Sequence, residues 1–162
     1  MQYFLKLVIG CFGVIACAFC VFNAFKYQQL HHRKNEDEVR RVTVLNPFRA
    51  VKEGRTTATI SDLSLLEMLA DDSDCIENLA SATFSSVSFR TSDGPKLEML
   101  QNLIFIGFYD CRNVDSVISK CVGSQVHTIS LETTPLSQES IEMLRKAGSI
   151  DVSINGHDIR EK

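Results

Sequence analysis

Residues 128–144 read TISLETTPLSQESIEML, and residues 150–154 read IDVSI. Ile129 and Leu131 alternate with Thr128, Ser130 and Glu132, which is the period of a half-buried strand. Thr133-Thr134-Pro135 breaks that run. Ser137 then offers a hydroxyl at a helix N-cap, and Ile141 and Leu144 share one face of the helix that follows. Gly148 ends the helix. Ile150, Val152 and Ile154 return to period two, so a second strand follows.

The residues just upstream repeat the pattern. Ile106 and Phe108 alternate around Gly107, Asp110-Cys111-Arg112-Asn113 turns, and Ile118 and Cys121 take the helix positions. Ile106 to Ile129, Phe108 to Leu131, Ile118 to Ile141 and Cys121 to Leu144 are each 23 residues apart. A constant offset over strand and helix positions is the self-similarity of a repeat architecture. Two earlier copies are looser. One starts at Val87 and Phe89, turns at Ser92-Asp93-Gly94-Pro95 and places Leu97 and Leu100 on its helix. The other begins at Ile60-Ser61-Asp62, with Leu65 and Met68 as its helix pair. Repeat length then runs from about 19 to 23 residues.

The pattern Ile129-x-Leu131-x-x-Thr134-x-Leu136-Ser137-x-x-Ser140-Ile141-x-x-Leu144 resembles the strand–turn–helix unit of leucine-rich repeats. It is closest to the bacterial type, in which a threonine stands where other classes place asparagine. The resemblance spans roughly residues 56–155. It implies an α/β fold, a short irregular solenoid of strand–turn–helix units over residues 55–162. It also implies that partners bind at the outward strand positions: Ser88, Arg90, Gly107, Tyr109, Thr128, Ser130, Glu132 and Ser153. The sequence departs from the pattern at the threonine position, which becomes Cys111 in one unit and Ser92 in another, so no regular asparagine ladder is expected. Cys111 and Cys121 read as small buried hydrophobes.

Toward the N-terminus the composition changes twice. Residues 28–54 begin QQLHHRKNEDEVRR and read as a charged juxtamembrane helix or linker. Leu7–Phe25 is a run of 19 residues without charge. As a helix it is roughly 28 Å long, close to the ~30 Å hydrocarbon core of a bilayer. Lys6 and Lys26 bracket it, with Tyr3 and Tyr27 at interfacial depth. The expectation is a single transmembrane anchor over residues 1–27, contacting lipid through residues 7–25. Two other readings share these residues: a cleaved signal peptide behind Lys6, and a lipobox at Val14-Ile15-Ala16-Cys17. Lys26, Arg33, Lys34, Arg40 and Arg41 follow the run, so a basic-residue count puts the remaining chain in the cytoplasm. The short charged N-terminus argues for the opposite orientation. Gly10, Gly13, Cys17, Cys20 and Ala24 form a small-residue stripe, which predicts pairing of two copies through the membrane helix.

Composition narrows the chemistry. A net charge of −3 gives no general basic field for nucleic acid. Of six cysteines, three (Cys11, Cys17, Cys20) lie in the apolar run and three (Cys75, Cys111, Cys121) beyond it, an odd number for a disulfide framework. His31-His32 points to two helix faces, and His127 and His157 form no triad with a serine or cysteine. Asp71-Asp72-Ser73-Asp74 lacks calcium-loop spacing. No nucleotide, zinc-protease or serine-hydrolase motif occurs. The expected function is a membrane-anchored protein-interaction module with an unknown protein partner, without catalysis, metal or cofactor. The alternatives are a thiol-dependent enzyme using Cys75, Cys111 or Cys121, and a structural component of the cell envelope.

Overall fold

The computed structural model describes residues 36–122 and 124–159, together with the single positions 22, 26, 28 and 34. The chain divides into two compact units, Met1–Arg41 and Val42–Lys162. In the first, residues 36–41 are helical and exposed.

The second unit opens with helix α1 (residues 42–52). Val44 and Val51 are buried and Phe48 packs beside them, at helical spacings of four and three. There follow β1 (Thr57–Ile60), α2 (Leu63–Ala70), α3 (Ser73–Asn78), β2 (Ser81–Ser85), a 3-10 turn (Thr91–Asp93) and α4 (Gly94–Met99). Then come β3 (Phe105–Tyr109), α5 (Asp115–Val122), β4 (Thr128–Glu132), α6 (Gln138–Lys146), β5 (Asp151–Ile154) and β6 (His157–Asp158). Local chemistry sets the helix starts. The carboxylates of Asp62 and Asp72 accept the N–H groups of Ser64 and Cys75, and Ser137 Oγ accepts that of Ser140.

The six strands form one sheet in the order β1-β2-β3-β4-β5-β6. The first five pair in parallel. Each inward residue therefore lies beside its counterpart in the next strand: Ile60 beside Phe84, Phe84 beside Phe108, Phe108 beside Leu131, Leu131 beside Ile154. These residues, with Leu65, Leu66, Leu69, Leu97, Ile118 and Leu144 from the helices, make one core. At its centre Phe84 and Phe108 stack with centroids 5.5 Å apart, and Phe89 meets both edge-on at 5.1 and 5.6 Å.

Strand exits share one conformation. Ser86, Asp110 and Thr133 follow β2, β3 and β4 with φ of 55°, 51° and 49°. There the N–H of Ser86 reaches Tyr109 O and that of Asp110 reaches Glu132 O, both at 2.9 Å. After β5 the chain reverses through Asn155-Gly156, φ 49° and 78°, into antiparallel β6. This is the Asn-Gly two-residue turn, with positive φ at both positions, whose twist matches the right-handed twist of the paired strands.

Several expectations need correction. The expected solenoid behind a membrane helix gives way to a mixed six-stranded α/β sheet ending in an antiparallel hairpin. Among the described residues no helix is long and apolar enough to cross a membrane. The described helical residues 36–41 carry Glu36, Asp37, Glu38, Arg40 and Arg41, and α1 carries Arg49 and Lys52, charges that a hydrocarbon layer penalises heavily. The single-pass anchor, the membrane localisation and the cytoplasmic lean are therefore withdrawn. The run 7–25 and the stripe Gly10, Gly13, Cys17, Cys20 and Ala24 lie outside the described residues, Phe22 excepted. The upstream copies were also misplaced. β2 is built on Ala82 and Phe84, while Val87 and Phe89 lie beyond its end, and Ile60 ends β1 instead of opening a unit. Register partners from β1 to β3 are 24 residues apart, and from β3 to β5 23 apart.

Candidate functional site

With Ala82, Phe84, Ile106, Phe108, Ile129 and Leu131 turned inward, strand alternation turns the intervening residues to the other side of the sheet. Three rows cross it. One runs Thr57, Ser81, Phe105, Thr128, Asp151. The next runs Thr59, Thr83, Gly107, Ser130, Ser153. The third runs Ser85, Tyr109, Glu132. Neighbours within a row are about 4.8 Å apart. The surface is thus mostly short hydroxyl side chains, with two aromatic rings on β3 and two carboxylates on β4 and β5.

Both rings lie over a glycine. A Cβ built on Gly107 would lie 3.0 Å from Tyr109 Cε2, 3.3 Å from Phe105 Cε1 and 3.4 Å from Thr83 Oγ1. The space that a side chain would take at position 107 is filled by both rings, and both remain half-buried. A strand glycine offers no side chain to pack, and flanking aromatics that fold across it supply the missing contact. The result is an aromatic pad in the middle of the sheet, bordered by Thr83 on one side and Ser130 on the other.

Of the outward positions read from sequence, Tyr109, Thr128, Ser130, Glu132 and Ser153 lie on this surface, together with Gly107. Ser88 and Arg90 do not. They stand past the end of β2, where Ser88 makes an isolated bridge to Arg112 and Arg90 precedes the 3-10 turn. Sequence reasoning missed Phe105, because the strand was read from Ile106 onward. The signal was present: Phe105, Gly107 and Tyr109 hold one parity while Ile106 and Phe108 hold the other.

Charge is arranged differently on the helices. There Lys52 pairs with Asp72, Lys96 with Glu67, Lys120 with Glu98 and Arg145 with Glu142. Glu132 is exposed and makes no ion pair among the described residues.

The surroundings of the described thiols disfavour the thiolate. Cys75, Cys111 and Cys121 are free and buried. Burial raises the pKa of all three, Cys75 to about 11 and Cys121 to about 12. A reactive thiol needs the reverse shift, from a cation, a base or a helix N-terminus. The groove between α5 and α6, about 930 Å³, is lined in part by Asp115, Val122, Met143 and Ala147. Burial alone would raise the Asp115 pKa, but hydrogen bonds from Ser140 and Ser137 outweigh it and hold the carboxyl below its usual range. Those bonds join α5 to the start of α6, with Ser137 N at 2.9 Å and Oγ at 2.8 Å. No histidine or cysteine lines the groove among the described residues. Nor do three His, Cys, Asp or Glu side chains there form a group able to hold a metal ion. His31 and His32 lie outside the described residues.

No family model, no curated protein and no solved structure matches this chain.

Proposed function

We propose that this protein is a non-catalytic protein-interaction module that recognises its partner on the open surface of the sheet, around Phe105 and Tyr109. The observation that carries the proposal is the aromatic pad over Gly107. Binding energy at protein interfaces concentrates in a few aromatic side chains near the centre, ringed by small polar residues that exclude water. Phe105 and Tyr109 occupy the third of six strands, and Thr83, Ser85, Thr128 and Ser130 surround them. The kinship with leucine-rich repeats read from the Thr134 unit remains part of this proposal, since that family binds through outward strand residues. The protonated, buried thiols argue against the thiol-enzyme alternative.

The test compares proteins retained by the full chain with those retained by a Phe105→Ala, Tyr109→Ala double variant. Proteins held by the first and lost from the second support the proposal. Identical retention, with the variant still folded by circular dichroism, overturns it.

A further inference from the structure

Tyr109 and Glu132 are register partners on adjacent strands and stand side by side on the open surface. Phe105 lies in the row of Thr128 and Asp151, so the second carboxylate is two strands from the second ring. From β1 to β5 every outward strand residue is hydroxyl-bearing, aromatic, glycine or acidic, and none is basic. On and beside the helices, Asp72, Glu67, Glu98 and Glu142 each have a Lys or Arg partner, whereas Glu132 makes no ion pair among the described residues.

A ring beside a carboxylate, with no basic side chain among the outward residues of β1–β5, is a receptor for one kind of side chain. Guanidinium is planar, stacks on aromatic faces and offers paired donors to a carboxylate. It is also hydrated more weakly than ammonium, so it loses less on leaving water. Side chains two residues apart on an extended segment share a face and lie about 7 Å apart, so an arginine and an apolar residue at that spacing can reach the two rings that flank Gly107. Nucleic acid and acidic segments meet repulsion from Glu132 beside Tyr109.

We infer that the open surface takes an arginine-bearing segment of a protein partner, its guanidinium stacked on Tyr109 and paired with Glu132, with an apolar side chain beside Phe105. This rests on the proposed function above and names the partner's chemistry. It assigns distinct roles: the rings contribute contact area at any ionic strength, and Glu132 contributes selectivity that salt screens.

Phage display of random twelve-residue peptides on the immobilised full chain is the test. The expected result is enrichment of peptides with Arg two residues from an apolar residue. Tyr109→Ala should weaken those peptides roughly 5- to 30-fold. Glu132→Gln, at an exposed position that leaves the core untouched, should weaken them roughly 2- to 5-fold and flatten their salt dependence. Peptides that need Phe105 and Tyr109 but lack Arg, or in which Lys or an acid replaces it, overturn this inference and leave the proposed surface standing. Peptides that bind the Phe105→Ala, Tyr109→Ala variant as well as the unaltered chain overturn both. Failure to enrich any basic peptide overturns the arginine assignment.

Discussion

Thr134 Oγ1 accepts the backbone N–H of Cys111 at 3.2 Å, and its hydroxyl proton faces the carbonyls of Phe108 at 3.1 Å and Glu132 at 2.9 Å. One buried hydroxyl thus ties the exit of β4 to that of β3. Cys111 repeats the move one strand earlier with its thiol, 3.5 Å from Phe84 O and 3.4 Å from Tyr109 O. The next position in the series is Val87, which is buried and has no side-chain donor, so the chain of contacts stops there.

Thr134→Val removes this hydroxyl while keeping its shape. It strands the buried N–H of Cys111, so unfolding free energy should fall by about 1–3 kcal/mol. Thr134→Ser keeps the hydroxyl and should cost less than about 1 kcal/mol. Urea denaturation with an unchanged m-value decides. Equal losses from both variants would mean that the methyl group, not the hydroxyl, matters.

The same position shows how far the sequence could be read. The 23-residue offset correctly set Ile106 beside Ile129 and Phe108 beside Leu131, because both units carry large apolar residues at strand positions. In β2 that signal is weak. Ala82 is small and lies among Ser81, Thr83 and Ser85, whereas Val87 and Phe89 alternate more strongly just beyond it. Phe89 is buried because it packs edge-on against Phe84 and Phe108, a tertiary contact that looks like strand periodicity. Ser92 was therefore placed where Val87 belongs. The Asn155-Gly156 hairpin was legible from local chemistry alone but went unread, because the period-two pattern was followed only to Ile154. Tyr109 was found as an outward residue. Its partnership with Phe105 was not, since it depends on where both rings go.

Leu144 and Ser130 separate core from surface. Leu144 is 1% exposed beneath the sheet, and Ile141, expected inward as well, is only half-buried. Leu144→Ala should destabilise by about 2–5 kcal/mol. Ser130→Ala, on the open side, should change stability by under about 0.5 kcal/mol. Comparable losses at the two sites would contradict the assignment of sheet faces.

The thiols predict an alkaline limit. Their pKa values in the folded chain are raised, to about 11 for Cys75 and about 12 for Cys121, from an ordinary 9.0. Below pH 9 the thiols are neutral whether folded or unfolded, and their full contribution is present. Above it the unfolded chain releases protons that the folded chain keeps, so stability falls as pH rises toward 11–12. The slope per thiol is up to about 1.4 kcal/mol per pH unit. Urea midpoints measured from pH 8 to 11 should fall less steeply in Cys121→Ala than in the unaltered chain. Parallel curves would show that Cys121 ionises in the folded state.

Gly107 tests whether the aromatic pad is a feature of the surface or of the sheet. Its backbone is ordinary strand, so alanine meets no conformational barrier and regains the roughly 0.5–1 kcal/mol that a strand glycine forfeits. Against this, the new methyl would stand 3.0 Å from Tyr109 and 3.3 Å from Phe105. Both contacts are ring edges on half-exposed side chains that are able to swing outward. The two effects oppose each other, and the net change in stability for Gly107→Ala should stay within about 1 kcal/mol. The rings, however, must move. Ring-proton NMR shifts of Tyr109 and Phe105 should change, while those of Phe84 and Phe108, on the core side of β2 and β3, should stay fixed. Any partner docking on the pad should bind more weakly to this variant despite its unaltered fold. If the Phe84 and Phe108 rings shift too, position 107 governs the twist of β3, and the pad is a consequence of that geometry.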